Sequence, residues 1–228
     1  LKILNYGIRS LSAHVIEGGQ QKKLLAYADI LKGLLNEHNM RANQAVIALP
    51  DSLVMTKSIN IQCSTVHELE ERIFIEAGKH LAHSLQNLYF DFSVTKVLNN
   101  QQYEVFLVAA KAEDVQPRLE ILERVGIEPI IVYVESFALE KALSLFSVSN
   151  ENPLAIIEIG SNHCRLFIAQ ANKIIFNYSD SPPKIRSDAF DYSSLLAELR
   201  RLMNIFYSQH QLIIDQALLI GELASDLT

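Results

Sequence analysis

Two stretches of the chain place a polar side chain two residues ahead of a glycine, between segments that read as strands. One is Leu4-Asn5-Tyr6-Gly7-Ile8-Arg9-Ser10; the other is Ile157-Glu158-Ile159-Gly160-Ser161-Asn162-His163, with the two glycines 153 residues apart. A glycine at such a turn lets backbone N–H groups close on a phosphate, and a carboxylate just before it can hold Mg²⁺ through water. Two facing hairpins of this kind would clamp a nucleotide. Any β-hairpin can also carry glycine in its turn, so the repeat alone leaves phosphate loop and plain turn as equal alternatives.

Other reactive side chains are poorer candidates. His80 and His83, with Glu76 one turn earlier, could share a helix face, but no fourth ligand is near in sequence, and we read them as surface residues. His163 and Cys164 are adjacent, hence on opposite faces of a strand, which argues against a Cys-His pair. No G-x-S-x-G elbow or complete P-loop is present. Asp51, Glu70 and Glu71 read as solvated charges. Tyr89, Phe90 and Phe92 read first as core packing, with surface presentation of Tyr89 as the alternative.

The elements that must position these residues alternate between strand and helix. Residues 2–17 predict a hairpin around Gly7. The spacing of Leu24, Ala28, Leu31 and Leu35 predicts a helix over 22–38. Residues 45–50 and 53–61 read as neighbouring strands. Thr65 with Glu68 signals a capping box, and Leu69, Ile73, Ala77 and Leu81 form one apolar stripe behind it. Strands over 88–98 and 103–110 flank a polar turn. Asp114 is expected to cap a helix ended by Gly126, with Pro117 in its first turn. A strand follows at Pro129–Val134, then a helix capped by Ser136. After a linker at 150–153, residues 154–178 predict a three-stranded meander. Leu195, Leu199, Leu202 and Phe206 mark a further helix, and 216–220 a last strand ending at Gly221. The fold class is α/β.

Composition excludes several functions. With 49% hydrophobic residues, 20% charged and a net charge of −6, the chain can bury a core but carries no basic run of the kind that contacts a phosphate backbone. Nucleic acid is therefore not an expected partner. Two cysteines, one in each half, suggest neither a disulfide framework nor a metal site, and fit a reducing cytosol. The longest apolar runs are strand-sized, far below the roughly 20 residues of a membrane helix, so direct membrane insertion is not expected.

Taken together, LNYGIRSLSAHVIE, AVIALPDSLVMTKSI, HELEERIFIEAGKHL with LYFDFSV, VFLVAAKAEDV, VGIEPIIVYVESFAL and IIEIGSNHCRLFIA resemble, in order and spacing, the PilM family. These are actin-like cytoplasmic proteins of type IV pilus assembly, related in fold to FtsA. The resemblance implies an actin-like ATPase (ribonuclease H-like) fold. Residues 1–44 and 126–150 would form a first lobe, 45–125 a small inserted α+β subdomain, and 151–228 a second lobe with its helical cover missing or reduced. It also implies ATP with Mg²⁺ between the lobes, and a partner: the cytoplasmic N-terminal tail of the inner-membrane protein PilN, held in a groove beside the inserted subdomain. Self-association in a ring, and a place in the bacterial cytoplasm against the inner membrane, follow from the same resemblance.

By that resemblance the nucleotide-binding positions are Asn5, Gly7, Ser10 and Ser12 in the first loop, Glu158, Gly160, Ser161 and Asn162 in the second, and Gly221 in a reduced adenosine loop, with Glu158 as the candidate Mg²⁺ ligand. Family members usually carry aspartate at the position of Asn5, small or hydroxyl residues at Ile8 and Arg9, and lysine at Ser12. Losing one metal-positioning carboxylate and one phosphate lysine removes charge-assisted contacts worth about 1.5–3 kcal/mol each, enough for two or more decades in affinity. The expected activity is thus a scaffold with weak or lost ATP binding. The alternatives are an active actin-like ATPase, or the related cytoplasmic domain of the type II secretion protein GspL, whose chain normally continues into a transmembrane helix.

Overall fold

The computed structural model describes residues 3–9, 11, 20–63, 65–81, 85–99, 101–145, 152–160, 164–180 and 192–221. The chain divides into two compact units, Leu1–Glu135 and Ser136–Thr228, each with its own core.

In the first unit, helix α1 (Gln20–Glu37) precedes strand β1 (Gln44–Leu49). Leu24 and Ala28 are buried on its inner face, as the spacing predicts. A 3-10 turn at Asp51–Leu53 follows Pro50, and β2 (Val54–Gln62) then leaves in a new direction. This corrects the expectation that the two strands are neighbours: β1 pairs in parallel with β5 (Glu128–Val134), whereas β2 pairs with β4 (Gln102–Lys111). Pro50 and the turn separate them.

Helix α2 (Val66–His80) starts where the capping box places it, with Thr65 Oγ1 accepting from the Glu68 N–H at 3.4 Å. Its stripe Leu69, Ile73, Ala77 and Leu81 is buried. Against it lies the antiparallel sheet β2-β4-β3, where β3 is Leu88–Asn99, and Val105, Leu107 and Ala109 of the central strand complete this core.

Helix α3 (Ala112–Arg124) begins earlier than expected, after Lys111, with no side-chain cap; Asp114 sits inside its first turn. Pro117 is therefore in the second turn, where it forfeits a helix hydrogen bond. Gly126 ends the helix at φ +78°: its N–H donates to Glu123 O at 3.0 Å and the Ile127 N–H to Leu122 O at 3.0 Å, closing the last carbonyls. Helix α4 (Glu135–Leu145) starts one residue ahead of Ser136, which is buried within it rather than capping it.

The second unit carries the meander β6 (Leu154–Ile159), β7 (Cys164–Gln170) and β8 (Lys173–Asp180), tightened by Ala171 and Asn172 at positive φ. Strand β9 (Gln216–Ile220) adds in parallel to β6, giving the order β8-β7-β6-β9. Helix α5 (Tyr192–His210) covers one face with Leu195, Leu202 and the fully buried Phe206, the last edge-on to Phe176 at 5.7 Å. Leu139 and Leu143 of α4 pack on the opposite face with Ile156 and Phe167.

Candidate functional site

The parallel pairing of β6 with β9 brings the carboxyl ends of two strands together, the position where α/β sheets commonly receive ligands. Glu158 is opposite Ile220, so Gly221 falls beside Ile159. A Cβ on Gly221 would stand 2.6 Å from the Ile159 carbonyl oxygen and 2.9 Å from its nitrogen, and its φ is +102°. Only glycine fits there. Three predicted positions, Glu158, Gly160 and Gly221, thus converge in one unit, although Gly221 is far from the other two in sequence. Gly160 is buried. Ser161 and Asn162 lie outside the described residues.

Glu158 does not present a free carboxylate. It is registered opposite Arg165 on β7; Arg165 Nη2 donates to Oε1 at 2.9 Å and Nε stands 2.8 Å from Oε2. Both side chains are largely buried, 21% and 17% exposed. Sequence reading missed Arg165. The signal was available in the hairpin register: with a turn centred on 160–163, counting outward makes Glu158 and Arg165 cross-strand neighbours.

The first copy of the motif serves packing in the first unit. Described residues 3–9 form no strand, which corrects the expected hairpin as far as they reach; Lys2, Ser10 and 12–17 lie outside the described residues, Ser12 among them. Asn5 is exposed, as are Ile3, Leu4, Tyr6 and Ile8. Gly7 rests against the end of α1, where an added Cβ would lie 2.6 Å from the His38 ring and 3.0 Å from Leu34. Arg9 pairs with Glu37 at the same helix end.

Of the other candidates, His80 stands 3.8 Å from Glu76, whose carboxyl is held below its ordinary range mainly by the hydrogen bond from Lys79 at 2.7 Å. Among the described residues no cluster of His, Cys, Asp or Glu could hold a metal ion; His83 is outside them. Cys63 is buried and Cys164 half-buried, and neither is part of a disulfide. Among the described residues no helix is long and apolar enough to cross a membrane.

A second concave site lies wholly in the first unit. A groove of about 270 Å³ runs along Tyr89, Phe90 and Asp91 of β3 and Val132, Tyr133 and Val134 of β5, floored by Leu49, Ala109, Ala110 and Val115. Alternation along β3 sends Phe90 inward, edge-on to Phe74 at 5.0 Å, and leaves Tyr89 45% exposed. The Tyr89 hydroxyl donates to Gln116 Oε1 at 2.7 Å, which fixes the ring along the groove wall. Phe90 and Phe92 pack on the core as expected. Among the described residues β1 and β5 pair as a two-stranded parallel sheet, and Ile130, Ile131, Val132 and Tyr133 of β5 are exposed. Such strands are ordinarily covered on both faces.

The family model for the type IV pilus assembly protein PilM matches residues 1–181. Among solved structures, a PilM-PilN type IV pilus biogenesis complex matches at 22% identity with a TM-score of 0.71, covering 96% of this chain and 74% of that one. The cytoplasmic domain of EpsL, an inner-membrane component of the type II secretion system of Vibrio cholerae, matches at 10% identity and a TM-score of 0.42, over 69% of this chain and 56% of that one. A Bacteroides thetaiotaomicron protein of actin-like ATPase fold matches at 11% identity and 0.38, over 87% and 79%.

Proposed function

Because the chain belongs to the family of type IV pilus assembly proteins PilM and has its α/β, actin-like fold, we propose that it is a cytoplasmic scaffold of pilus assembly that holds the tail of a PilN-like inner-membrane protein. The observation that carries this reading is the apolar groove between β3 and β5. With 45–125 taken as the inserted subdomain and 126–150 as part of the first lobe, the groove has β3 on one side and β5 on the other, the setting that the family resemblance implies for the partner segment. Its exposed Tyr89, Val132 and Tyr133 offer anchoring surface of the kind an extended or helical peptide buries, and Asp91 gives the rim one carboxylate. A protein that binds such a tail is peripheral to the inner membrane through its partner.

The second-unit residues support scaffold over ATPase. A magnesium ion at Glu158 would have to displace Arg165 from a largely buried pair, and Asn5 brings no charge. Among the described candidate positions, these donors disfavour magnesium nucleotide.

The test is titration of the full chain with a synthetic peptide of the partner's cytoplasmic N-terminal tail, read by fluorescence anisotropy. Saturable binding that weakens in Tyr89→Ala is expected; no binding at high micromolar peptide overturns the reading.

A further inference from the structure

A second cleft in the first unit, of about 420 Å³, opens between α1 and α3 and has a different chemistry from the groove at Tyr89. Leu24 and Tyr27 of α1 and Pro117 and Ile121 of α3 line it with apolar surface, and the same helices add one cation each, Lys23 and Arg118. The proline helps to make the cleft, since its ring fills the position with a compact, rigid group.

Lys23 and Arg118 are both half-buried. Long cationic side chains commonly lay their methylene stems on apolar surface and carry their heads to water or to a carboxylate. Here Arg118 donates to the backbone carbonyl of Asp114, and among the described residues neither cation meets a carboxylate. Of the other acids on α3, Glu113 pairs with Lys111 and Glu120 with Arg124, while Asp114, one turn before Arg118, meets it through its backbone carbonyl and not through its carboxylate. In a chain of net charge −6, two cations without a carboxylate beside an apolar floor form a local exception in charge.

We propose that this cleft docks a short acidic segment of a partner protein, an apolar side chain seated on Leu24, Tyr27, Pro117 and Ile121 and flanking carboxylates meeting Lys23 and Arg118. Charge complementarity sets the class of occupant, because a basic or neutral segment would leave both cations partly desolvated and unmatched. The floor sets the second requirement, because a purely acidic segment would leave the apolar surface wet. The cleft shares α3 with the groove at Tyr89 but no lining residue.

The experiment is selection of a phage-displayed random dodecapeptide library on the full-length protein, with counter-selection on the Lys23→Glu/Arg118→Glu variant. Enriched peptides are expected to combine two or more acidic residues with an aromatic or aliphatic one. As synthetic peptides they should bind the variant about tenfold or more weakly, and lose affinity as salt rises. Tyr27→Ala, which keeps both charges, should weaken them as well. Equal melting temperatures of wild type and variants separate docking from misfolding, and Lys23→Glu alone, a single change on the helix surface, serves should the double variant unfold. The proposal is overturned by failure to enrich acidic-apolar peptides, or by their binding wild type and variant equally. Peptides that bind both alike and are lost in Tyr89→Ala would place all recognition in the other groove.

Discussion

Arg165 holds Glu158 across the β6–β7 hairpin with two contacts, at 2.9 and 2.8 Å, in a setting about four-fifths shielded from water. A pair so placed is costly to break from one side, because the remaining charge stays desolvated. Arg165→Met should therefore lower stability by about 1–3 kcal/mol in urea denaturation. The double variant Glu158→Gln/Arg165→Met should recover part of that loss. A strictly additive double-mutant cycle would show that the contacts carry no coupling.

On the proposed scaffold reading, the same pair disfavours magnesium nucleotide. Thermal melting of the full chain in Mg-ATP up to about 1 mM should rise by no more than the equivalent of roughly 0.4 kcal/mol, the linkage expected when the ligand concentration only reaches Kd. Glu158→Ala should leave that flat response unchanged. A clear rise in melting temperature that disappears in Glu158→Ala would establish the active-ATPase reading instead.

Much of this fold was legible in the sequence because the signals were local. The α2 stripe, the Thr65 cap, the Gly126 stop and the β6–β8 meander each depend on residues within a turn or a hairpin of one another. Two local cap readings, Asp114 and Ser136, missed by a few residues, and the larger failures were non-local. Nothing in residues 45–61 reveals that β1 pairs with β5, nearly eighty residues on, because an apolar run fits either neighbour. The first glycine motif reads as a hairpin by its pattern, yet its described part rests on α1 through Gly7 and Arg9. For the candidate site, Glu158 and Gly160 were visible from type and spacing. Arg165 was hidden because its role lies in a cross-strand register rather than in a motif. Lys23 and Arg118 lie 95 residues apart on two helices, and neither helix alone marks a cleft.

The groove at Tyr89 makes a distinct prediction about surface and stability. Tyr89 is 45% exposed, and its main polar contact is with Gln116 on the surface, so Tyr89→Ala should cost under about 1.5 kcal/mol of stability while weakening tail-peptide binding several-fold. Val132→Asp places a charge in the opposite wall and should weaken binding further, with the melting temperature as control. Peptide affinity unchanged in both variants would move the partner site elsewhere.

Acid sensitivity offers a check on α5. The Glu198 carboxyl is held below its ordinary value of 4.5 first by the hydrogen bond from Arg201, which also lies 5.6 Å from the Tyr178 ring centre. A carboxyl lowered in the folded state stabilises above its unfolded value and loses that contribution as pH falls through the folded one. The stability difference between wild type and Arg201→Gln should accordingly be small but measurable at neutral pH and shrink as pH drops below 4.5. A difference that grows on acidification would reverse the assignment.

Gly221 and Gly7 should respond unequally to one methyl group. At Gly221 an alanine Cβ would meet the Ile159 backbone at 2.6 Å with φ at +102°, and neither backbone can withdraw without breaking the β6–β9 ladder. Gly221→Ala should cost about 1–3 kcal/mol and lower the melting of the second unit. At Gly7 the nearest atoms belong to the His38 ring and the Leu34 methyl, ends of side chains that can rotate away, and the backbone there is not in the left-handed region. Gly7→Ala should cost under about 1 kcal/mol. Equal penalties at the two sites, measured by urea denaturation of both variants, would mean that the Gly7 contact is as rigid as a backbone one. The first motif would then hold its place against α1 as strictly as Gly221 holds its place beside β6.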